Sequence, residues 1–518
     1  MSEYHKESQD DVVAFLASPE AHGGAPVRRI DTHAASVFLA GPRVLKVKRA
    51  VRFPFLDYST LAKRKAACEE ELRINRPFAP QIYRGVVPIT RGGDGSLAIG
   101  GDGVPIEWAV DMERFDENLT LDHIAEAGAI NPDLALGLAD EILAAHMAAP
   151  VVPAGPWVGS IPLIVSRNTD AFRRAGVFLP GDIDRLDNAS LSLFAHTREL
   201  LERRGQQGFV RRCHGDLHLA NIVLIDRKPV LFDAIEFDAG IASIDVLYDL
   251  AFALMDLLRY RQGAAANSVL NRYLNRSPDE NLGAIGLLPL FMSMRAAIRA
   301  NVLLARLEQK GKGSGAIEQS ARAYFKLALD LISPPPPKFI AIGGLSGTGK
   351  SELARRLASD VPPQPGAIVL RSDVIRKALF GADETERLPA DAYTPQTTAK
   401  VYDILAQHAA CVLKQGHSVI VDAVFARESE RMTMADVARE NAGRLVGFFL
   451  VAYLDTRIER IRQRSGDASD ATPEIALRQQ DYDLGHMDWS IVEASGTPEQ
   501  TFEICRKLLI AKDQVCST

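Results

Sequence analysis

Residues 338–358, KFIAIGGLSGTGKSELARRLA, constrain the fold of this chain more than any other stretch. An apolar run ends in a glycine-rich loop, and the loop opens into a segment with helical apolar spacing. Gly344, Gly349, Lys350 and Ser351 fit the pattern G-x-x-x-x-G-K-S, with Ser346, Gly347 and Thr348 completing the loop. Backbone N–H groups of such a loop and the N-terminus of the following helix cradle phosphate oxygens. The lysine neutralises charge and the serine hydroxyl reaches Mg²⁺. Strand, phosphate loop and helix in this order belong to a parallel α/β sheet.

The downstream segments agree with that placement. AIVLRSD, SVIVDAV and VGFFLVAYL alternate with helical stretches, which predicts a doubly wound sheet with its chemistry at the carboxyl ends of the strands. One strand is expected to end at Asp373, with Arg376 a helical turn further, and another at Asp422. Phosphate loop, acid and acid then share one rim. Asp373 is positioned to orient or deprotonate an acceptor, and Arg376 to grip an anionic or hydroxylated substrate. Asp422 suits either a metal-side carboxylate or a substrate contact, and spacing does not separate the two. In DTRIERIRQRSGDASDAT, Arg457, Arg460 and Arg464 stand at i,i+3 and i,i+4 ahead of a Gly/Asp/Ser stretch. A helix face of arginines is ordinarily just solvated. Beside a phosphate loop it reads as a lid that brings Arg460 or Arg464 onto the transferring phosphate.

At 518 residues the chain exceeds one ordinary core, and SPPPPK at 333–338 is its clearest punctuation. Upstream, residues 27–110 hold β-like segments (SVFLA, RVLKVKR, EWAVDM) and one helical segment, whereas 118–208 and 242–332 are mostly helical. The reading is an extension at 1–26, a first domain at 27–332 with its small lobe reaching about 111, a linker at 333–338 and a second domain at 339–518. A net charge of −6 supplies no global basic field, which argues against a nucleic-acid partner. Cys68, Cys213, Cys411, Cys505 and Cys516 are scattered without CxxC spacing, as in a reducing compartment. The charged start carries no apolar targeting run, and the apolar region 282–307 is broken by Arg295 and Arg299. These features together point to a cytoplasmic protein that does not cross a membrane.

A second chemical centre lies in RRCHGDLHLANIVLIDRKPVLFD, residues 211–233. Asp216 and Asn221 sit on a loop ahead of the strand NIVLI, and the turn DRKP leads back along VLFD. A turn centred between Arg227 and Lys228 would set Asp233 opposite Ile222, next to Asn221. A carboxylate and an amide oxygen meeting there make a hard-oxygen Mg²⁺ site, and Asp216 can accept a proton from an attacking hydroxyl. The plain alternative is a polar turn whose side chains satisfy local backbone groups.

HGDLHLAN…LFD…DVLYDLAF resembles the aminoglycoside phosphotransferase family, small-molecule kinases with the protein-kinase-like fold, over roughly residues 27–330. That resemblance implies Asp216 as catalytic base, Asn221 and Asp233 as Mg²⁺ ligands, and Asp249 as a structural anchor. It also implies a lysine for the α/β-phosphates and a helix glutamate to hold it. Lys46 and Lys48 share one strand face; Lys46 is preferred because it follows VL, and Glu71 is preferred over Glu70. No GxGxxG precedes the lysine, so phosphate cover falls to DTHAAS at 31–36, and VDMERF at 110–115, with Met112, takes the adenine hinge. Gly215 stands where protein kinases carry the HRD arginine, which favours a small acceptor over a protein.

RSDVIRK and the lid arginines resemble a P-loop kinase group that includes gluconate kinases, polynucleotide 5′-kinases and chloramphenicol phosphotransferase, over about 338–510. This implies Asp373 as general base. The expected fold is an α+β protein-kinase-like two-lobed domain followed by an α/β doubly wound P-loop kinase domain. The expected function is a bifunctional phosphotransferase using ATP and Mg²⁺ on hydroxylated small molecules. An antibiotic kinase with an accessory ATPase domain and an ATP-sensing regulator with slow hydrolysis are the alternatives. A polynucleotide 5′-kinase would need a basic channel, for which only the lid arginines speak.

Overall fold

The computed structural model describes residues 9–53, 56–277, 279–310, 315–441, 444–464 and 466–514. Its N-terminal strands are β1 (Val27–Asp31), β2 (Ala35–Ala40), β3 (Arg43–Lys48), β4 (Tyr83–Arg91), β5 (Leu97–Ile99) and β6 (Val104–Glu113). They form an antiparallel sheet in the order β1-β2-β3-β6-β4-β5. The patterns that suggest strands in the sequence cover β2, β3 and β6 but miss β1, β4 and β5. β4 contains Pro88 and shifts register at Tyr83/Gly85 and again at Ile89/Thr90, which breaks the alternation a half-buried strand would show.

Helix α1 (Leu61–Asn75) starts at Thr60, whose side chain accepts from the Lys63 N–H. Its buried residues are Arg64, Cys68, Glu71 and Asn75, a stripe at helical spacing that is polar rather than apolar. Such a stripe is stable only if each polar group finds a partner. Arg64 Nε does so, at 2.8 Å from Glu107 Oε2 on β6. The helical part continues through α2 (Pro132–Ala148), α3 (Gly155–Ala175), α4 (Pro180–Gln206) and, after the hairpin, α5 (Val246–Arg259).

The hairpin of β7 (Ile222–Ile225) and β8 (Lys228–Leu231) corrects the expected register. Ile222 pairs with Leu231 and Ile225 with Lys228, so the turn is centred one residue earlier than the sequence suggests. Asp226 and Arg227 both take positive φ, 50° and 64°, and close a two-residue turn whose twist matches the strands. Moving the turn centre by one residue moves every partner by two. Leu231, not Asp233, therefore faces Ile222.

Next come α6 (Gly263–Arg276), α7 (Leu288–Lys310) and α8 (Gly315–Ile332). Among the described residues one helix, Ile285–Glu308, is long and apolar enough to cross a membrane, and 67% of its most apolar window is buried.

The C-terminal elements are β9 (Phe339–Gly344), α9 (Lys350–Ala358), β10 (Ile368–Arg371), α10 (Ser372–Leu379), α11 (Pro395–Lys414), β11 (Val419–Asp422), α12 (Glu428–Asn441), β12 (Leu445–Val451), α13 (Leu454–Gln463), β13 (Ser490–Glu493) and α14 (Pro498–Gln514). All five strands run parallel in the order β10-β11-β9-β12-β13. Ile340, Ile342, Val369, Ile420, Phe448 and Leu450 bury against Leu353 and Leu357 of α9. Both faces are covered, so the inner strands read as continuous apolar runs. β10 stops at Arg371, and Asp373 lies in the first turn of α10, not at a strand end as expected.

Packing groups the chain into two compact units, Met1–Arg167 with Phe194–Asp256, and Asn168–Leu193 with Leu257–Thr518. The proline run marks a passage along the chain, whereas α6, α7 and α8 group with the C-terminal sheet.

Candidate active sites

In the first unit, strand periodicity puts Lys46 and Lys48 on one face of β3, and both reach Glu71. Lys46 Nζ is 2.8 Å from Glu71 Oε1, and Lys48 Nζ is 2.5 Å from Oε2. Their second partners differ. Lys46 reaches Asp233 Oδ1 at 2.7 Å, and Lys48 reaches Glu236 Oε1 at 2.5 Å. The Asp233 side chain is 45% exposed and that of Glu236 only 9%, so Lys46 is the lysine that faces the open end of the hairpin. Glu70 is turned outward and paired with Arg73. Burial alone would raise the Glu71 carboxyl, but the two ammonium groups outweigh it and hold it well below the usual carboxylate range. Burial likewise opposes charge on Lys46, and Asp233, Glu71 and Glu236 reverse that to keep it protonated.

The HGD loop hangs from α5. Asp249 Oδ1 accepts from the Gly215 N–H at 2.9 Å and Oδ2 from the His214 N–H at 3.2 Å, the anchoring that the family resemblance implies. His214 Nε2 donates to the Phe232 carbonyl at 2.9 Å, and burial pushes this imidazole's pKa down. Gly215 has φ +84°, and a Cβ there would lie 2.9 Å from Ala242 Cβ. Its lack of a side chain is thus a steric requirement. Asn221 Nδ2 donates to the Asp216 carbonyl and to Asp216 Oδ2, at 3.0 and 3.1 Å. The Asp216 side chain remains 40% exposed.

Asp233 takes φ +60°, an uncommon conformation for a residue with a side chain. It is held there by its neighbours. Tyr83 Oη accepts from the Asp233 N–H at 3.2 Å, and Asn75 Oδ1 accepts from the Ala234 N–H at 2.6 Å. Asn221 meets Asp216 directly and approaches Asp233 through its carbonyl, which accepts from Phe232 N–H at 3.0 Å. Asp216 and Asp233 supply carboxylate oxygens and Asn221 an amide oxygen, a set of hard ligands suited to Mg²⁺. Met112 lies in the core with Val110 and Tyr83. The N–H groups of Glu113 and Arg114 are taken by the carbonyls of Ile82 and Pro42, at 2.7 and 2.8 Å. In the 31–36 turn, Thr32 Oγ1 accepts from the Ala35 N–H at 2.9 Å and Ser36 Oγ donates to Asp31 at 2.7 Å.

In the second unit, Gly344, Gly347 and Gly349 take φ of +141°, +84° and +93°. A Cβ at Gly347 would lie 2.5 Å from the Arg457 carbonyl, so α13 can approach the loop only if that residue is glycine. Arg457 Nε donates to the Ser346 carbonyl and Gln479 Oε1 accepts from the Ser346 N–H, both at 2.8 Å. Parallel pairing places Asp422 beside both Ile342 and Arg371. Ser351 Oγ donates to Asp422 Oδ2 at 2.6 Å. Arg371 Nη2 donates to Ser351 Oγ at 3.0 Å and to Asp467 Oδ1 at 2.6 Å, and its Nε is 3.3 Å from Asp422 Oδ2.

Burial raises the Asp373 carboxyl and the negative charge of Asp422 adds to it, against Arg371 and Lys350. Burial lowers the Lys350 ammonium, although Asp422 and Asp373 pull it back. A phosphate loop made of left-handed glycines beside a serine hydroxyl and a carboxylate fits a metal-bound nucleotide phosphate.

Residues 339–484 match the family model described as an AAA domain. Over 470 residues, 88% of this chain and 91% of theirs, the sequence is 31% identical to the uncharacterized proteins Rv2004c of Mycobacterium tuberculosis (strain ATCC 25618 / H37Rv) and Mb2027c of Mycobacterium bovis. The chain belongs to the family of these mycobacterial proteins. Partial likenesses to solved structures include a choline/ethanolamine kinase family protein from Mesorhizobium loti, 13% identical, covering 62% of this chain and 98% of that one with a TM-score of 0.38. A gluconokinase from Sinorhizobium meliloti 1021 is 19% identical, covering 35% of this chain and 98% of that one with a TM-score of 0.26.

Two arginines of this family member stand differently from expectation. Arg376 is 7% exposed, donates to the Ala392 carbonyl at 2.7 Å and lies over the Tyr393 ring. It holds the 390–398 segment and presents no open face to a substrate. Arg460 donates to the carbonyls of Ala494 and Gly496, at 2.8 and 2.6 Å, and is spent tying α13 to the end of β13. Arg464 is 3.3 Å from Asp467 and within electrostatic reach of Lys350, and Arg460 Nη1 also borders the loop, 3.9 Å from where a Cβ on Gly349 would stand.

The sequence reading missed Asn75, Glu236, Arg371, Asp467 and Asp470. Asp470 accepts from Lys377 Nζ at 2.9 Å and from Tyr393 Oη at 2.5 Å. Signals existed for two of them. Glu236 follows Asp233 in DAIEFD, and Arg371 precedes Asp373 on the strand.

Proposed function

We propose that this chain is a bifunctional ATP-dependent phosphotransferase with two unrelated sites, each moving the γ-phosphoryl group to a hydroxyl of a small molecule. The observation that carries the reading at the first site is the Lys46 bridge, which joins Glu71 to Asp233 beside the Asp216–Asn221 pair. At the second it is the meeting of Ser351 with Asp422, with Lys350 and Asp373 in the same electrostatic group.

At each site the acceptor oxygen forms a bond to the γ-phosphorus, the bond to the β–γ bridging oxygen breaks, and ADP leaves. Asp216 takes the hydroxyl proton in the first and Asp373 in the second. Lys46 and Lys350 bind phosphate oxygens, and Arg464 meets charge that develops on the transferring group. Asn221 and Asp233 would hold Mg²⁺ in one site, Ser351 and Asp422 in the other. The ion, when bound with ATP, supplies neutralisation of phosphate charge. Hydroxylated small molecules are the partners we infer, and the cytoplasm the compartment.

The test is a panel of metabolites and aminoglycosides incubated with ATP and scored for the mass gain of one phosphoryl group. Asp216→Ala should silence one set of products and Lys350→Ala another. If one substitution abolishes every product, the two-site reading fails.

A further inference from the structure

β10 is one of the two edge strands of the C-terminal sheet. Its Ile368 N–H points to the Ser418 carbonyl at 2.9 Å, so the Ala367 carbonyl and the Val369 N–H point to the open edge. Helix α6 covers that edge. Asn271 Oδ1 accepts from the Val369 N–H at 2.7 Å, and its Nδ2 donates to the Ala367 carbonyl at 3.1 Å. One side-chain amide therefore makes the two bonds that the N–H and C=O of one residue on a neighbouring parallel strand would make. Asn267, one helical turn earlier, donates to the same carbonyl at 3.0 Å. Gly366 has φ +121°, and a Cβ there would lie 2.7 Å from Asn267 Nδ2, so glycine lets the helix approach.

The next face of α6 grips the loop that leaves α10. Arg272 Nη1 is 3.0 Å from Glu384 Oε2, and Arg276 Nη2 is 3.0 Å from Asp383 Oδ1. The helix thus holds the β10–α10 segment at both ends, and that segment carries Arg371 and Asp373.

We propose that Asn271 is a positioning residue of the second site. Its amide replaces a sixth strand and sets where β10 ends, and so where Arg371 and Asp373 stand against Ser351 and Asp422. The proposal rests on the phosphoryl-transfer reading of that site. An edge strand without a partner frays or slips, and a displacement of about 1 Å at a reacting group costs ~10²-fold in rate. The working P-loop unit therefore includes α6, and a fragment starting at 339 would lack its clamp.

The experiment uses the full chain and ATP itself as probe. Turnover is the ATP hydrolysis lost in Lys350→Ala, nucleotide affinity comes from a fluorescent ADP analogue with Mg²⁺, and hydrogen exchange reports the Val369 amide. Asn271→Leu is expected to lower Lys350-dependent turnover about 10–100-fold while affinity stays within about 3-fold. Exchange at Val369 should accelerate. Asn271→Asp keeps the acceptor for Val369 and loses the donor to Ala367, and should fall between. Unchanged turnover, or lost turnover with unchanged Val369 protection, overturns the proposal, as does a parallel collapse of affinity. Asn271→Ser is read by the same criteria if the leucine variant does not fold. A wild-type chain without Lys350-dependent hydrolysis or nucleotide binding sinks the phosphoryl-transfer reading instead, and the exchange measurement still judges the clamp.

Discussion

Lys46 Nζ lies 2.7 Å from Asp233 Oδ1, joining the middle of β3 to the residue that ends the hairpin segment. Lys48 makes the corresponding link to Glu236, whose side chain is far less exposed than that of Asp233. The two lysines should therefore separate on substitution. Lys46→Met is expected to reduce first-site turnover by about 10²–10³-fold through lost charge stabilisation. Lys48→Met leaves Glu71 and Glu236 short of a cation and should destabilise the first unit by about 3–5 kcal/mol. Steady-state kinetics beside denaturation midpoints decide this, and indistinguishable behaviour of the two variants would refute it.

Asp216 and Gly215 are neighbours with opposite expected phenotypes. Asp216→Ala removes a partly exposed carboxylate and should fold normally with turnover down by about 10²–10⁴-fold. Gly215→Ala puts a Cβ 2.9 Å from Ala242 Cβ at positive φ and should destabilise the loop by about 1–3 kcal/mol. A Gly215→Ala chain as stable as wild type would contradict the packing described for this loop.

The second site should show an acid limb set by Asp373. As a base it must be ionised, and burial with the Asp422 charge raises its carboxyl, so turnover falls as pH drops through that raised value. Asp422→Asn removes the like charge and should shift the limb to lower pH, with a reduced plateau because Ser351 loses a charged acceptor. The pH–rate profile of Lys350-dependent hydrolysis checks the direction. A shift to higher pH would count against the assignment.

His417 gives the C-terminal unit an acid sensitivity. Its imidazole is buried and, among the described residues, finds no hydrogen-bond partner for either ring nitrogen, and burial drops its pKa from 6.5 to about 4. The unfolded chain takes up the proton first as pH falls below 6.5. The stability this neutral histidine allows is intact above that pH, drains between 6.5 and about 4, and changes no further below. The loss reaches about 3 kcal/mol. His417→Leu should flatten the unfolding midpoint across this window. An unchanged slope would show that other groups carry the acid response.

The legibility of the two sites differed for physical reasons. The phosphate loop could be read because its chemistry is contiguous and each glycine answers a local backbone demand. The order His-Gly-Asp, Asn, Asp was equally plain, yet the hairpin register was not, since it depended on Arg227 adopting a positive φ that its residue type does not advertise. Glu71 and Glu70 looked alike in sequence because the buried stripe of α1 is polar and leaves no apolar period to follow. Arg376 and Arg460 had the residue type a phosphate site needs. Which carbonyls lay within reach after folding decided how each is held, and only Arg376 is closed off by burial.

By itself, then, the sequence determined the local frames: a strand–loop–helix shaped by glycine, a catalytic-type loop feeding a hairpin, and an alternation that makes a parallel sheet. Tertiary structure alone decided which charges meet. Lys46 and Asp233 are 187 positions apart, and Asn271 reaches Val369 across 98. Such pairs are set by how faces pack, because a side chain's partner depends on burial and register that no local residue pattern encodes.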